Sequence, residues 1–549
     1  MDTSQNDVTN KEILQHLKAI EARISKIEAH IDLQPSENED YIEEEPIISK
    51  SKAETDEELE FRIGQYWFAK LGILVFLIGW LTANTLQFND LNQIIPVAIG
   101  FITGLAVIST ALFIKNRFPH LSGWVLGSGF VIIYLAVIRM HFFSLSPLVT
   151  NIIPILVILY LVSIIIIVTG IKRGSPYLTS LGISTALLTG IIGDYSYLIF
   201  LTIASVSILS SNLKIKLNWD GLLNFTIIAA YFVHLMWFIN NPLLGNPLEI
   251  QTDVPLNLLF ILIYQIIFSV AFLNDKKTEE NLLPSLSVLA ITSIGYGLFL
   301  LITILSTPPL GQAYHLLASA IYLVFAVLFF KIKQSRVSTF FYAMTGYGAL
   351  SIAIVLQFDK PDFFMWLCWQ SFLVVSTAVW FRSKFIIVAN FIIFLLIFIT
   401  SLVFAASASW ISLSFGLVSL FSARILNWKK DVLELKTEQM RNAYLLTAFF
   451  IIPYSLYNMM PSGYVAFSWI VVAILYYVFS IILKNTKYRY MSLATFMLTV
   501  LYVFVLGITS EETIFKILSF LVLGAALVII SVVYTRNRNK SSKPKESEG

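Results

Sequence analysis

Long apolar runs separated by short polar breaks fill the chain from about residue 66 almost to its end. Read as membrane spans of about 20 residues each, they lie at 66–86, 92–114, 122–143, 150–171, 176–192, 195–211, 219–239, 254–273, 282–305, 311–330, 336–356, 362–381, 384–401, 407–424, 440–458, 462–483, 488–506 and 513–534, eighteen in all. The breaks are of two kinds, and the kinds alternate. Eight carry Lys115/Arg117, Lys172/Arg173, Lys214/Lys216, Lys276/Lys277, Lys331/Lys333/Arg336, Arg382/Lys384, Arg424/Lys429/Lys430/Lys436/Arg441 and Lys484/Lys487/Arg489, twenty-one basic residues together. The nine between them carry one, Lys360. Moving Lys and Arg across a bilayer is unfavourable, so loops rich in them stay in the cytoplasm. The tail, with Arg536, Arg538, Lys540, Lys543 and Lys545, falls on the same side, and an even number of spans leaves both termini cytoplasmic. The pattern predicts an all-α, polytopic transmembrane helix bundle of the inner (cytoplasmic) membrane. The pairs 176–192/195–211 and 384–401/407–424 have such short joints that re-entrant hairpins stay open for them.

Before the spans the period changes. Ile13, Leu17, Ile20, Ile24, Ile27 and Ile31 recur at spacings of 4, 3, 4, 3 and 4, with Glu12, Lys18, Glu21, Lys26 and Glu28 off that stripe. This is a heptad seam, and it predicts a cytoplasmic amphipathic or coiled-coil helix within residues 1–33. Its mixed charges suit a partner helix better than an anionic membrane; residues 11–33 would pair with a second copy or with another protein. Residues 34–65 read as an acidic disordered linker, 66–534 as the transmembrane domain and 535–549 as a basic tail. Trp428, Val432, Leu433, Leu435 and Met440, interleaved with Lys429, Lys430, Lys436 and Arg441, predict an interfacial helix across the loop from Asn427 to Gln439.

Composition narrows the function. Of 549 residues, 57% are hydrophobic and 13% charged, and mean hydropathy is +0.78; soluble domains carry about 25% charged residues. Eighteen spans leave no room for a soluble catalytic domain. The net charge of +3 follows from the basic loops and does not point to nucleic acid. Cys368, the one cysteine, sits in an apolar run and has no intrachain partner. The first run starts near Tyr66, where it reads as an uncleaved anchor.

Two stretches carry a family resemblance: Gly127-Ser-Gly-Phe-Val-Ile-Ile-Tyr134-Leu-Ala-Val, and Phe515-Lys516-Ile-Leu-Ser519-Phe-Leu-Val-Leu-Gly524 ending in Ser531-Val-Val-Tyr534. With the N-terminal helix and acidic linker, they resemble the domain-of-unknown-function 2339 family of bacterial multi-pass membrane proteins. The resemblance implies a fold and a location rather than an activity. Family members often carry a lysine and an aspartate in the penultimate span, where this chain has Tyr502 and Gly507. Internal echoes link Trp369–Lys384 with Trp469–Lys484, and Gly295-Tyr-Gly297 with Gly346-Tyr-Gly348.

The topology assigns a depth to each ionisable residue. Lys70 lies in the first turn of its span and snorkels to the cytoplasm. Arg139, His141, His234, His315 and Lys516 lie toward the outer ends of their spans, and Asp194 in an outer turn. Ionisable groups in a bilayer face a cavity or one another. One reading is an outer polar pocket in which Arg139 or Lys516 holds a carboxylate or phosphate, with Arg139 offering the planar fork. The other is interfacial pairing that stitches helices together. His141, His234 and His315 stand on separate spans without metal-ligand spacing, so neither metal nor cofactor is expected. The glycine pairs Gly100/Gly104 and Gly123/Gly127 predict close helix packing, and Gly127-Ser-Gly129 a possible break lining a site.

Three functions compete. Transport, or lipid and glycan handling in the cell envelope, fits the span count, with neutral Asn224, Tyr264, Gln265 and Asn390 as path-lining candidates. A scaffold or sensor fits the N-terminal helix. A glycosyltransferase acting on a lipid-linked donor would use the outer-loop carboxylate Asp90 as base. Membrane lipid is the expected surrounding partner in each case, and an enzyme is the less favoured class.

Overall fold

The computed structural model describes residues 68–85, 92–143, 146–252, 254, 256–274, 282–306, 310–404, 409–428 and 438–505, with five single positions between 517 and 528. The heptad stretch, the acidic linker, Asp90, Lys516, the last span and the tail lie outside them. Residues 73–549 make up one compact unit and residues 1–72 another.

Among the described residues the chain is helical, with seventeen helices and no strand. The first nine are α1 (Phe68–Thr85), α2 (Ile94–Ile114), α3 (Pro119–Arg139), α4 (Ile152–Lys172), α5 (Pro176–Gly193), α6 (Ser196–Leu217), α7 (Asp220–Phe238), α8 (Asn257–Leu273) and α9 (282–306). Then come α10 (Gly311–Lys333), α11 (Arg336–Gln357), α12 (Phe363–Trp380), α13 (Lys384–Phe404), α14 (Ser409–Trp428), α15 (Glu438–Met459), α16 (Val465–Ile482) and α17 (Thr486–Val505). Each coincides with one of the first seventeen apolar runs. Thirteen are long and apolar enough to cross a membrane. The two pairs left open to re-entry, α5/α6 and α13/α14, are continuous helices and belong to those thirteen.

Helix ends differ from the runs for physical reasons. Lys214 and Lys216 belong to the last turn of α6 rather than to a loop. Lys214 is buried, pairs with Asp220 at the start of α7 and lies 5.4 Å from the Phe272 ring. A cation there also faces the negative end of the helix dipole. The Gly127-Ser-Gly129 step does not break α3, which runs through it. Gly129 instead packs on α2: an added Cβ would fall 2.7 Å from Ile108 Cγ1, and one on Gly104 2.6 Å from Ile133 Cγ1. Gly100/Gly104 thus serve close packing, as expected, whereas a Cβ on Gly123 would meet nothing within 4 Å. Of the loop from Asn427 to Gln439, the first two residues end α14 and the last two begin α15; 429–437 lie outside the described residues.

The most intimate pairings join helices that share a basic loop: α2–α3, α4–α5, α10–α11, α14–α15 and α16–α17. Helices α4 to α17 contribute to one continuous buried apolar core, while α3, α4 and α5 share a second cluster around Tyr134, Ile155, Leu159 and Ile192. Outward faces carry large apolar side chains, such as Phe113 at 88% exposure and Phe385 at 76%.

Candidate functional site

The described residues expected to share an outer pocket fall into three settings. Arg139 closes α3 and is buried, one turn beyond Tyr134. The Tyr134 hydroxyl lies 3.0 Å from Thr185 O and 2.9 Å from Thr189 Oγ1 on α5. Nearby, His141 Nδ1 meets Val149 O at 2.8 Å. Asp194 holds the α5–α6 joint in a left-handed conformation, φ +52°. Its carboxylate accepts from Asn241 Nδ2, and from Asn246 Nδ2 at 3.4 Å. These contacts fasten a loop and leave the carboxylate engaged by neutral amides.

His234 and His315 share the main core. His234 is fully buried, stacked on Phe200 at 4.9 Å and edge-on to Trp237 and Tyr264. His315 is fully buried and its Nδ1 meets the Tyr296 hydroxyl at 2.9 Å. Between them runs a seam of neutral polar side chains from five helices, α7 to α11.

Gly295 is the hub of that seam. It follows a π-helical segment, Ala290–Ile294, that offsets the second half of α9; such segments recur at functional sites. A Cβ on Gly295 would lie 2.5 Å from Tyr231 Oη and 2.6 Å from Gln265 Nε2. The missing side chain therefore admits a tyrosine from α7 and a glutamine from α8 against the α9 backbone. Tyr296, next along, packs edge-on to Tyr322 of α10 at 5.8 Å, and Tyr322 lies 6.1 Å from Tyr342 of α11. The Tyr342 hydroxyl meets Ser269 Oγ of α8 at 2.5 Å, closing the ring of helices. Among the described residues, Tyr322 Oη and His315 Nε2 make no hydrogen bond, while Tyr231 Oη and the Gln265 amide have each other as side-chain partners, in poor geometry. Each buried, unsatisfied polar group costs about 1–3 kcal/mol, and Tyr322 Oη and His315 Nε2 both bear that cost on α10.

A neighbouring seam between α11, α12, α13 and α15 provides the contrast. Gln370 Nε2 donates to Tyr347 O at 2.7 Å, and Ser351 Oγ donates to Gln370 Oε1 at 3.1 Å. Asn390 Nδ2 donates to Ser371 Oγ at 2.8 Å and to the Tyr444 hydroxyl at 3.1 Å. A cavity of about 80 Å³ lies beside these groups. Here the polar side chains satisfy one another.

Of the path-lining candidates, Gln265 and Tyr264 reach the first seam or its His234 end. Asn390 belongs to the second seam, and Asn224 accepts from Ser287 Oγ. Sequence reasoning missed Tyr231, Tyr322 and Tyr342. A signal existed: interfacial belts place tyrosine near span ends, whereas these stand well inside their helices. Among the described residues no three His, Cys, Asp or Glu side chains group as metal ligands would. No family model, curated protein or solved structure matches this chain.

Proposed function

We propose that this chain is a multi-pass protein of a cell's inner membrane, with its basic loops cytoplasmic, and that its α7–α11 core handles a neutral, hydrogen-bonding solute or lipid headgroup in transport. The membrane part is supported by thirteen long apolar helices, by apolar outward faces and by basic residues on alternate loops. The transport part rests on one observation: neutral polar side chains from α7, α8 and α10 converge in mid-core around Gly295, with Tyr231 and Gln265 paired only to each other and Tyr322 Oη and His315 Nε2 without a hydrogen bond among the described residues.

Chemistry favours an uncharged cargo. No carboxylate, lysine or arginine is among the groups that meet there, so an ion would enter without a counter-charge, which is costly at low dielectric. Tyrosine hydroxyls, an amide and an imidazole can each donate and accept, which suits a hydroxyl- or amide-bearing molecule. The π segment in α9 is a natural point for one half of that helix to shift against the other. A scaffold needs none of this.

Thiol labelling separates transport from a filled interior. With Cys368→Ser as background, Tyr322→Cys in proteoliposomes reacts with the small reagent methyl methanethiosulfonate if the seam opens to water. Wild-type Cys368, buried on α12, is the internal comparison and stays unmodified over the same interval. Equal inertness of both thiols in folded protein would leave only the scaffold.

A further inference from the structure

The polar groups of the α7–α11 core stand at two levels. His234 lies one turn before α7 ends at Phe238, and His315 one turn after α10 begins at Gly311. Tyr231 is a turn deeper than His234, about 5 Å along α7, and Tyr322 two turns deeper than His315, about 10 Å along α10. Both histidines are fully buried. Among the described residues neither ring nitrogen of His234 makes a hydrogen bond, and His315 makes one only through Nδ1, with Tyr296. An imidazole carries at least one N–H whichever tautomer it adopts, so His234 keeps a donor with nothing to meet. Aromatic rings border both imidazoles. Phe200 stacks on His234 and Trp237 stands edge-on to it at 5.3 Å, while Phe299 stands edge-on to His315 at 5.2 Å.

A cargo with one hydroxyl meets a single level and leaves the other bare. A ring with several hydroxyls meets both, and its C–H surfaces pack on aromatic side chains. We propose that the seam takes a sugar ring, free or as the headgroup of a glycolipid. His234 and His315 meet its hydroxyls at one level, and Tyr322 with the Tyr231–Gln265 pair meets them at the other. The proposal rests on the transport reading of the seam, and adds the class of cargo and the role of His234.

Equilibrium binding of tritiated D-glucose, myo-inositol and glucosyl diacylglycerol is measured on the purified full-length chain, in a detergent without a sugar headgroup. Unlabelled cyclohexanol, a six-membered ring with one hydroxyl, and diacylglycerol without its sugar do not compete. Binding of glucose or myo-inositol shows that the free ring suffices; binding of glucosyl diacylglycerol alone assigns the site to a lipid headgroup. His234→Phe and Tyr322→Phe keep an aromatic ring and lose the polar atoms. Each weakens binding about five-fold, and the two together about 25-fold, as separate contacts add. Tyr454→Phe, at an exposed position on α15, binds like wild type. No binding of any of the three ligands, competition by cyclohexanol, or unchanged binding in His234→Phe would overturn the proposal. If His234→Phe does not fold, Tyr322→Phe carries the same comparison at about five-fold. Thiol labelling of Tyr322→Cys tells this failure from that of the transport reading. A reactive thiol in a chain that binds none of the three overturns the sugar and leaves transport standing, whereas an inert one removes the seam as a path.

Discussion

Gln265 and Asn390 are both buried amides in adjoining parts of one helical core, and their surroundings differ. Asn390 donates to Ser371 and Tyr444, while the Gln265 amide has the Tyr231 hydroxyl beside it in poor geometry. Leucine approximates either side chain in size, so the pair separates structural from functional polarity. Asn390→Leu removes the amide that donates to both Ser371 and the buried Tyr444 hydroxyl, which keeps Ser371 as a partner, and lowers stability by about 1–3 kcal/mol. Gln265→Leu removes one pairing of poor geometry with Tyr231, so it lowers stability by less than Asn390→Leu while impairing solute handling. Thermal midpoints of the two variants in one detergent check this; a drop in Gln265→Leu as large as in Asn390→Leu refutes the functional reading of the seam. The sequence marks Gln265 as a polar residue within a run. It does not mark Tyr322 or Lys214, because hydropathy averages over a helix and carries no azimuth. Lys214 reads as one loop cation among others until Asp220 and Phe272 are seen to enclose it.

Helices were the most legible level. Runs of about 20 apolar residues leave the backbone one way to satisfy its own donors and acceptors in an apolar setting, so α1 to α17 follow from hydropathy alone. The π segment of α9 does not, since Ala290–Ile294 has nothing unusual in composition. Its neighbours Gly295 and Gly297 look equivalent in sequence and are not. A methyl at Gly295 would overlap Tyr231 and Gln265, whereas one at Gly297 meets nothing within 4 Å. Gly295→Ala therefore costs about 1–3 kcal/mol through overpacking, and Gly297→Ala is neutral or gains up to about 1 kcal/mol from helix propensity. Comparative unfolding of the two variants tests this, and equal behaviour would mean that Gly295 is not the point of closest approach.

At the scale of the molecule, alternating basic loops predict orientation. In intact cells, and in a background without Cys368, an impermeant maleimide labels Leu248→Cys, at the exposed α7–α8 connection, and spares Lys172→Cys. The reverse pattern inverts the molecule and puts its basic loops on the outer face. The close helix pairs bear on how such a chain is made. In α2–α3, α4–α5, α10–α11, α14–α15 and α16–α17, partners that touch most are also neighbours in synthesis. Each pair can assemble as soon as its second member leaves the ribosome, without waiting for distant chain. The seam is the exception. Its five helices, from Asp220 to Gln357, must all have been made before tyrosine, histidine and glutamine can meet, so competence for cargo waits on the middle of the chain, after α2–α3 and α4–α5 have paired and before α12 to α17 exist.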